Sequence, residues 1–148
     1  MSSRVALGLL CIGAVALAGC GKEVGRVALN QEGSAEAKLQ VHASKPLAVW
    51  VSLDWEFAEP FEARYDVELV QNASVVSKAQ CNPLDVSVKT NSREISIGSK
   101  RSVKYTGKMR ECTLTPTADG EATVKARLVF PKKSGTPSTR DASLVLKE

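Results

Sequence analysis

From Lys38 to the end of the chain, apolar and polar side chains alternate with a period of two. Leu39, Val41 and Ala43 share one face of a first predicted strand, and Leu47, Val49, Val51, Leu53, Trp55 and Phe57 form an unbroken row in a second. Tyr65, Val67 and Leu69 make a third. Val86 with Val88, Ile95 with Ile97, and Val103 with Tyr105 mark three short ones. Cys112 and Leu114 alternate with polar neighbours, Ala122 through Phe130 oppose Thr123, Lys125 and Arg127, and Leu144 with Leu146 closes the series. Successive side chains of a strand point to opposite sheet faces, so these rows are the signature of half-buried antiparallel strands. About 7–9 of them, separated by turn formers such as Glu59-Pro60 and Asp119-Gly120, predict an all-β fold: an antiparallel β-sandwich, with a small β-barrel as the alternative. It is immunoglobulin-like only in a loose sense. A true immunoglobulin domain buries a tryptophan between its two cysteines, whereas Trp50 and Trp55 both precede Cys81.

The first residues follow a different logic. A short basic start ending at Arg4 leads into Val5–Ala18, fourteen residues without a charge. A membrane-spanning helix needs ~20 apolar residues and a secretory leader about 7–15, so the run predicts a leader. It ends in Leu17-Ala18-Gly19-Cys20, which resembles the lipobox of bacterial lipoprotein precursors. That resemblance implies cleavage between Gly19 and Cys20, diacylglyceryl transfer to the Cys20 thiol and a further fatty acid, such as palmitate, on the new amino group. Two acyl chains anchor durably where one is marginal. Gly21 and Lys22 follow the cysteine rather than an aspartate, which in such precursors points to the outer membrane of the cell envelope. The predicted organisation is a signal peptide over 1–19, a lipidated N-terminus and flexible tether over 20–37, and a single sandwich domain over 38–148. The tether assignment rests on a Gly-, Ala-, Ser- and Glu-rich stretch with no sustained period.

Of the four cysteines, Cys11 leaves with the leader and Cys20 is committed to lipid. Cys81 and Cys112 remain as an even pair in an oxidising compartment, which predicts a structural disulfide. Composition is otherwise that of an ordinary globular chain, 43% hydrophobic and 24% charged. Little points to catalysis. His42 is the only histidine, and alternation places it on a solvent face beside Gln40. No serine sits in a Gly-x-Ser-x-Gly or Ser-x-x-Lys pattern, and Gly98-Ser99-Lys100 lacks phosphate-loop spacing. No ligand pair has zinc spacing. The carboxylates Asp54, Glu56, Glu59, Glu62, Asp66 and Glu68 fall largely on outward strand faces, where acids are solvated. The expectation is a non-enzyme with no catalytic residue, no metal and no cofactor.

Two features suit recognition. Residues 54–68 carry six acids against Arg64, a net of −5, whereas residues 89–110 carry seven bases against Glu94, a net of +6. On separate faces these segments make a dipole able to steer a partner; on neighbouring strands they neutralise each other, which is the preferred expectation. Lys100, Arg101 and Lys104 are the candidate binding cations. The second feature is Trp50, which alternation turns away from the Trp55 row and which could form a glycan-stacking platform or interface anchor. A mature net charge of +3, from nineteen basic and sixteen acidic residues, gives no reason to expect nucleic acid. The functional expectation is a membrane-anchored envelope lipoprotein acting as a protein-binding, assembly or accessory factor. A glycan- or peptidoglycan-binding module and an inhibitor of an exported hydrolase are the alternatives.

Overall fold

A computed structural model describes residues 21–148; the leader, the cleavage position at Gly19 and the acceptor Cys20 lie outside the described residues. Seven strands follow one another: β1 (Glu23–Ala28), β2 (Gly33–Val41), β3 (Leu47–Gln71), β4 (Ser74–Cys81), β5 (Val86–Ile97), β6 (Lys100–Leu114) and β7 (Gly120–Lys147). Every pairing between them is antiparallel. The all-β expectation therefore holds.

Two strands are far longer than the rest, β3 with 25 residues and β7 with 28. They pair along most of their length, and their register slips repeatedly between Glu56 and Arg64, opposite Val129–Ser138. Such irregularities let a sheet bend. Here they carry both strands from one layer into the other. The first layer runs β5–β6–β3–β7–β1, using Leu47–Ala58 of β3 and the end of β7. The second runs β4–β3–β7–β2, using Glu62–Gln71 of β3 and the beginning of β7. One continuous sheet thus folds over its own apolar face.

That face is the row structure of the sequence. Val49, Val51, Leu53 and Trp55 from the first layer meet Tyr65, Val67, Leu69, Val124 and Leu128 from the second, each no more than 2% exposed. Where the long strands cross over, Trp55 stands edge-on to Phe61 and Phe130 at centroid distances of 6.2 and 5.7 Å, and Phe57 stacks on Phe61. The open flanks are closed differently. On one side Cys81, ending β4, is bonded to Cys112 of β6, two strands that share no ladder. On the other, Leu29 N–H donates to Ala142 O at 2.9 Å and the buried Tyr65 hydroxyl donates to Leu29 O at 3.0 Å.

Three expectations require correction. The segment assigned to a tether is β1 and the first half of β2: Val27 and Leu29 enter the core, and Ala35 and Ala37 pack against it. Small residues made this stretch look unstructured, yet they are the sizes that fit over Ala126 and Val124, their register partners in β7. The runs expected to be separate strands are joined, Leu47–Leu69 in β3, Val86–Ile97 in β5, Val103–Leu114 in β6 and Ala122–Leu146 in β7. Finally β4 was not anticipated, because only Val76, Ala79 and Cys81 of it reach the core. It follows a two-residue turn in which Asn72 and Ala73 both have positive φ, 50° and 62°, the form that matches strand twist in tight hairpins.

Candidate functional site

Strand β5 occupies the end of the first layer and pairs only with β6. Its attachment depends on Gly107, where an added Cβ would lie 2.9 Å from the carbonyl oxygen of Val88 and 3.0 Å from the Val86 side chain. Beyond Val86 every residue of β5 is exposed, including Val88, Ile95 and Ile97 at 47, 43 and 75%. A sheet edge of this kind presents backbone N–H and C=O groups with no partner strand. The hairpin closes through Gly98 and Ser99, with Gly98 at φ 59°, a left-handed conformation that glycine adopts without penalty.

Cross-strand register fixes which side chains share a face. Directly opposed residues of an antiparallel pair lie on the same side. Trp50, Lys108 and Val88 therefore form one row across β3, β6 and β5; Asp54, Lys104 and Arg93 form another; Glu56, Ser102 and Ile95 a third; and Ala58, Lys100 and Ile97 a fourth. This is the face turned away from the core. On the opposite face the arm is bound down: Lys89 contacts Glu94 at 2.7 Å with its ammonium 5.0 Å from the Tyr105 ring, and Arg101 contacts Glu59 at 3.2 Å over Phe57. Burial raises the Tyr105 hydroxyl above its ordinary pKa and keeps it a donor, to Pro83 O.

The acidic and basic segments are neighbours, as preferred, but the neutralisation is uneven. Arg140, arriving from β7, contacts Asp54 at 2.9 Å and Glu56 at 3.7 Å and holds the Asp54 carboxyl below its usual range. Glu59 is taken by Arg101, Asp66 by Arg64 and Glu68 by Lys78. Most of the acids are thus satisfied from elsewhere. Arg93, Lys100, Lys104 and Lys108 have no ion-pair partner within 4.0 Å among the described residues. Of the candidate cations, Lys100 and Lys104 belong to this unpaired set and Arg101 does not.

Trp50 is not a platform. It lies outside the core cluster on the face that alternation predicts, yet it is only 4% exposed, and the Lys147 ammonium sits 4.1 Å from its ring centroid. Its neighbour across β7, Val145, is 2% exposed. A ring covered in this way offers no stacking surface to a sugar. Its indole N–H, like that of Trp55, is buried without an acceptor. His42 lies at the surface just beyond β2, with Nδ1 2.8 Å from the Glu148 carboxylate.

The second layer bears a shallow groove of about 850 Å³ on its outer side, crossing all four strands between Glu36, Glu68, Lys78 and Lys125 on one flank and Ser34, Asp66, Gln80 and Arg127 on the other. Its acids and bases alternate across the strands, so they compensate locally. Among the described residues there is no group of three or more histidines, cysteines or carboxylates able to hold a metal ion. No family model matches the chain, and neither does any curated protein.

What sequence reading missed is that Val88, Ile95 and Ile97 are not core. Their alternation is as regular as that of the buried rows. The signal lay in their surroundings, since the same stretch holds Lys89, Arg93, Lys100 and Arg101, and a buried strand does not tolerate such density of charge.

Proposed function

We propose that this chain is a lipid-anchored, non-enzymatic protein of the bacterial envelope that docks a protein partner through its β5–β6 arm. The observation that carries the reading is the arm itself: a strand of 12 residues exposed beyond Val86, open along one edge, with Val88, Ile95 and Ile97 beside Arg93, Lys100, Lys104 and Lys108, which form no ion pair within 4.0 Å among the described residues. Apolar side chains set among unpaired charge are what a protein interface desolvates and complements.

The position of the arm suits an anchored protein. Gly21, directly bonded to Cys20, lies against Glu148 at the level of Ala48, while the hairpin tip lies opposite Ala58. Ten residues of extended strand separate the two levels, a distance of about 33 Å. A chain held by lipid at Cys20 would carry the tip away from the bilayer, towards soluble or neighbouring proteins, and anchoring would raise the effective concentration for a modest-affinity encounter. The glycan reading loses its aromatic platform with the burial of Trp50.

Two measurements test the reading separately. Cys20→Ser should release the protein from the membrane fraction or leave its leader uncleaved; unchanged fractionation would remove the anchor. Cross-linking in the intact envelope should capture a defined protein with the wild type and lose it with Lys100→Glu/Lys104→Glu. Equal capture by that variant would remove the arm as the docking element, and an exported hydrolase as the captured protein would specify the inhibitor form of the same reading.

A further inference from the structure

The docking surface has a register, and the register specifies the chemistry of what it accepts. Resting on the reading of the β5–β6 arm as a protein-docking element, we propose that the stretch Arg93–Ile97 receives an extended acidic segment of the partner as an additional antiparallel or parallel strand, with acidic side chains set against Arg93 and Lys104 and apolar ones against Ile95 and Ile97.

The open edge is not uniform. Register shifts separate Val86 from Val88 and Thr90 from Arg93, and Asn91 between the latter has φ 52°. Bulges of this kind twist an edge out of line and obstruct pairing. Beyond them, Arg93, Glu94, Ile95, Ser96 and Ile97 pair with Lys104, Val103, Ser102, Arg101 and Lys100 without interruption. This five-residue stretch is the longest regular part of the edge, against three residues in register over Val88–Thr90. It is also where exposure of apolar surface is greatest, with Ile97 at 75% and Ile95 at 43% on the same face. Strand addition draws affinity from main-chain hydrogen bonds and selectivity from the side chains of one face.

Charge decides the occupant. The face beside Ile95 and Ile97 holds Arg93, Lys100 and Lys104, its acids Asp54 and Glu56 lie two strands away on β3 and are engaged by Arg140, and residues 89–110 as a whole carry a net of +6. A second copy pairing through the same edge would set two such arms side by side, and like charges directly opposed are unfavourable. An acidic strand meets the reverse situation. Glu94, the one acid of β5, points to the other face and is engaged by Lys89 at 2.7 Å, so it does not repel an incoming carboxylate on the Arg93 side.

The test uses the purified chain with two synthetic dodecapeptides, threonine at every second position and the residues that share the other strand face running Val-Val-Glu-Glu-Val-Val in one and Val-Val-Lys-Lys-Val-Val in the other, so that a charged and two apolar side chains can face Arg93, Ile95 and Ile97 in either strand direction. The acidic peptide should bind, weaken steeply with salt, and slow hydrogen exchange at backbone amides of Arg93–Ile97. Arg93→Glu/Lys104→Glu, both exposed positions, should weaken its binding by about tenfold or more. Binding without protection of those amides would show docking by side-chain charge alone and overturn strand addition. Equal binding of the basic peptide, or no binding of either, would overturn acidic selection. Dimerisation of the free chain that protects the same amides would make a second copy the occupant. These outcomes are independent of Cys20, and a partner captured from the envelope with β5 exchange unchanged would sink this inference while leaving the docking reading intact.

Discussion

Replacing Cys81 and Cys112 together by alanine removes the disulfide that ties β4 of one layer to β6 of the other. The cysteines are 31 residues apart, and the loop they close contains all of β5 and most of β6. Tying such a loop restricts the unfolded chain, and for this length the restriction stabilises the folded state by about 3.7 kcal/mol at 25 °C. The native state gives no offset, because both cysteines are 1% exposed and their loss leaves unfilled space in the core. Urea unfolding followed by tryptophan fluorescence measures the effect. With a slope of about 1–3 kcal/mol/M, the midpoint should fall by roughly 1–4 M. The slope itself should rise, since an unlinked unfolded chain exposes more surface. Wild type treated with reductant should behave as the double variant does. A loss below about 1 kcal/mol with an unchanged slope would refute the reasoning, because the loop would then not be what the bond restrains.

Other consequences are local. Tyr65→Phe strands Leu29 O without its 3.0 Å donor in a buried position and should destabilise by about 1 kcal/mol in the same assay, whereas an exposed or dispensable bond would give no change. Ala73→Gly relieves an alanine held at φ 62° in the β3–β4 turn and should stabilise by roughly 0.5–1 kcal/mol; a loss would mean the turn is not constrained to that conformation. The Glu32 carboxyl is held below its ordinary pKa by the Phe130 N–H and Lys133, as Asp54 is by Arg140. Their contributions are complete above the ordinary carboxylate pKa, near 4, and are lost as pH falls through the depressed folded values, so stability should decline on acidification and decline less in Glu32→Gln. Parallel acid profiles for wild type and variant would contradict this. Iodide should quench neither tryptophan appreciably, since Trp50 and Trp55 are 4 and 0% exposed, and efficient quenching in a Trp55→Phe background would return Trp50 to the surface.

Sequence alone was sufficient for several features of this protein. Period-two rows such as Leu47–Phe57 and Ala122–Phe130 dictate antiparallel strands with one apolar face, because a strand has no other way to segregate those side chains. The even pair of cysteines left in the domain was enough to expect the Cys81–Cys112 bond. Tertiary structure decided what periodicity leaves undetermined, namely what lies against each face. Ile95 and Ile97 alternate as cleanly as Val49 and Val51, but β5 stands at the end of its layer and leaves them exposed, so the same pattern yields an open edge instead of core. Trp50 alternates outward and is nevertheless covered, with Lys147 over its ring. The small residues of β2 resemble a linker until β7 lies alongside, when their size becomes a fit. In each case the deciding quantity is a neighbour distant in sequence: Lys147 is 97 positions from Trp50, and Ala126 is 91 from Ala35. A local pattern records how a strand divides its side chains between two faces, and only the assembled sheet determines which of those faces meets protein and which meets solvent.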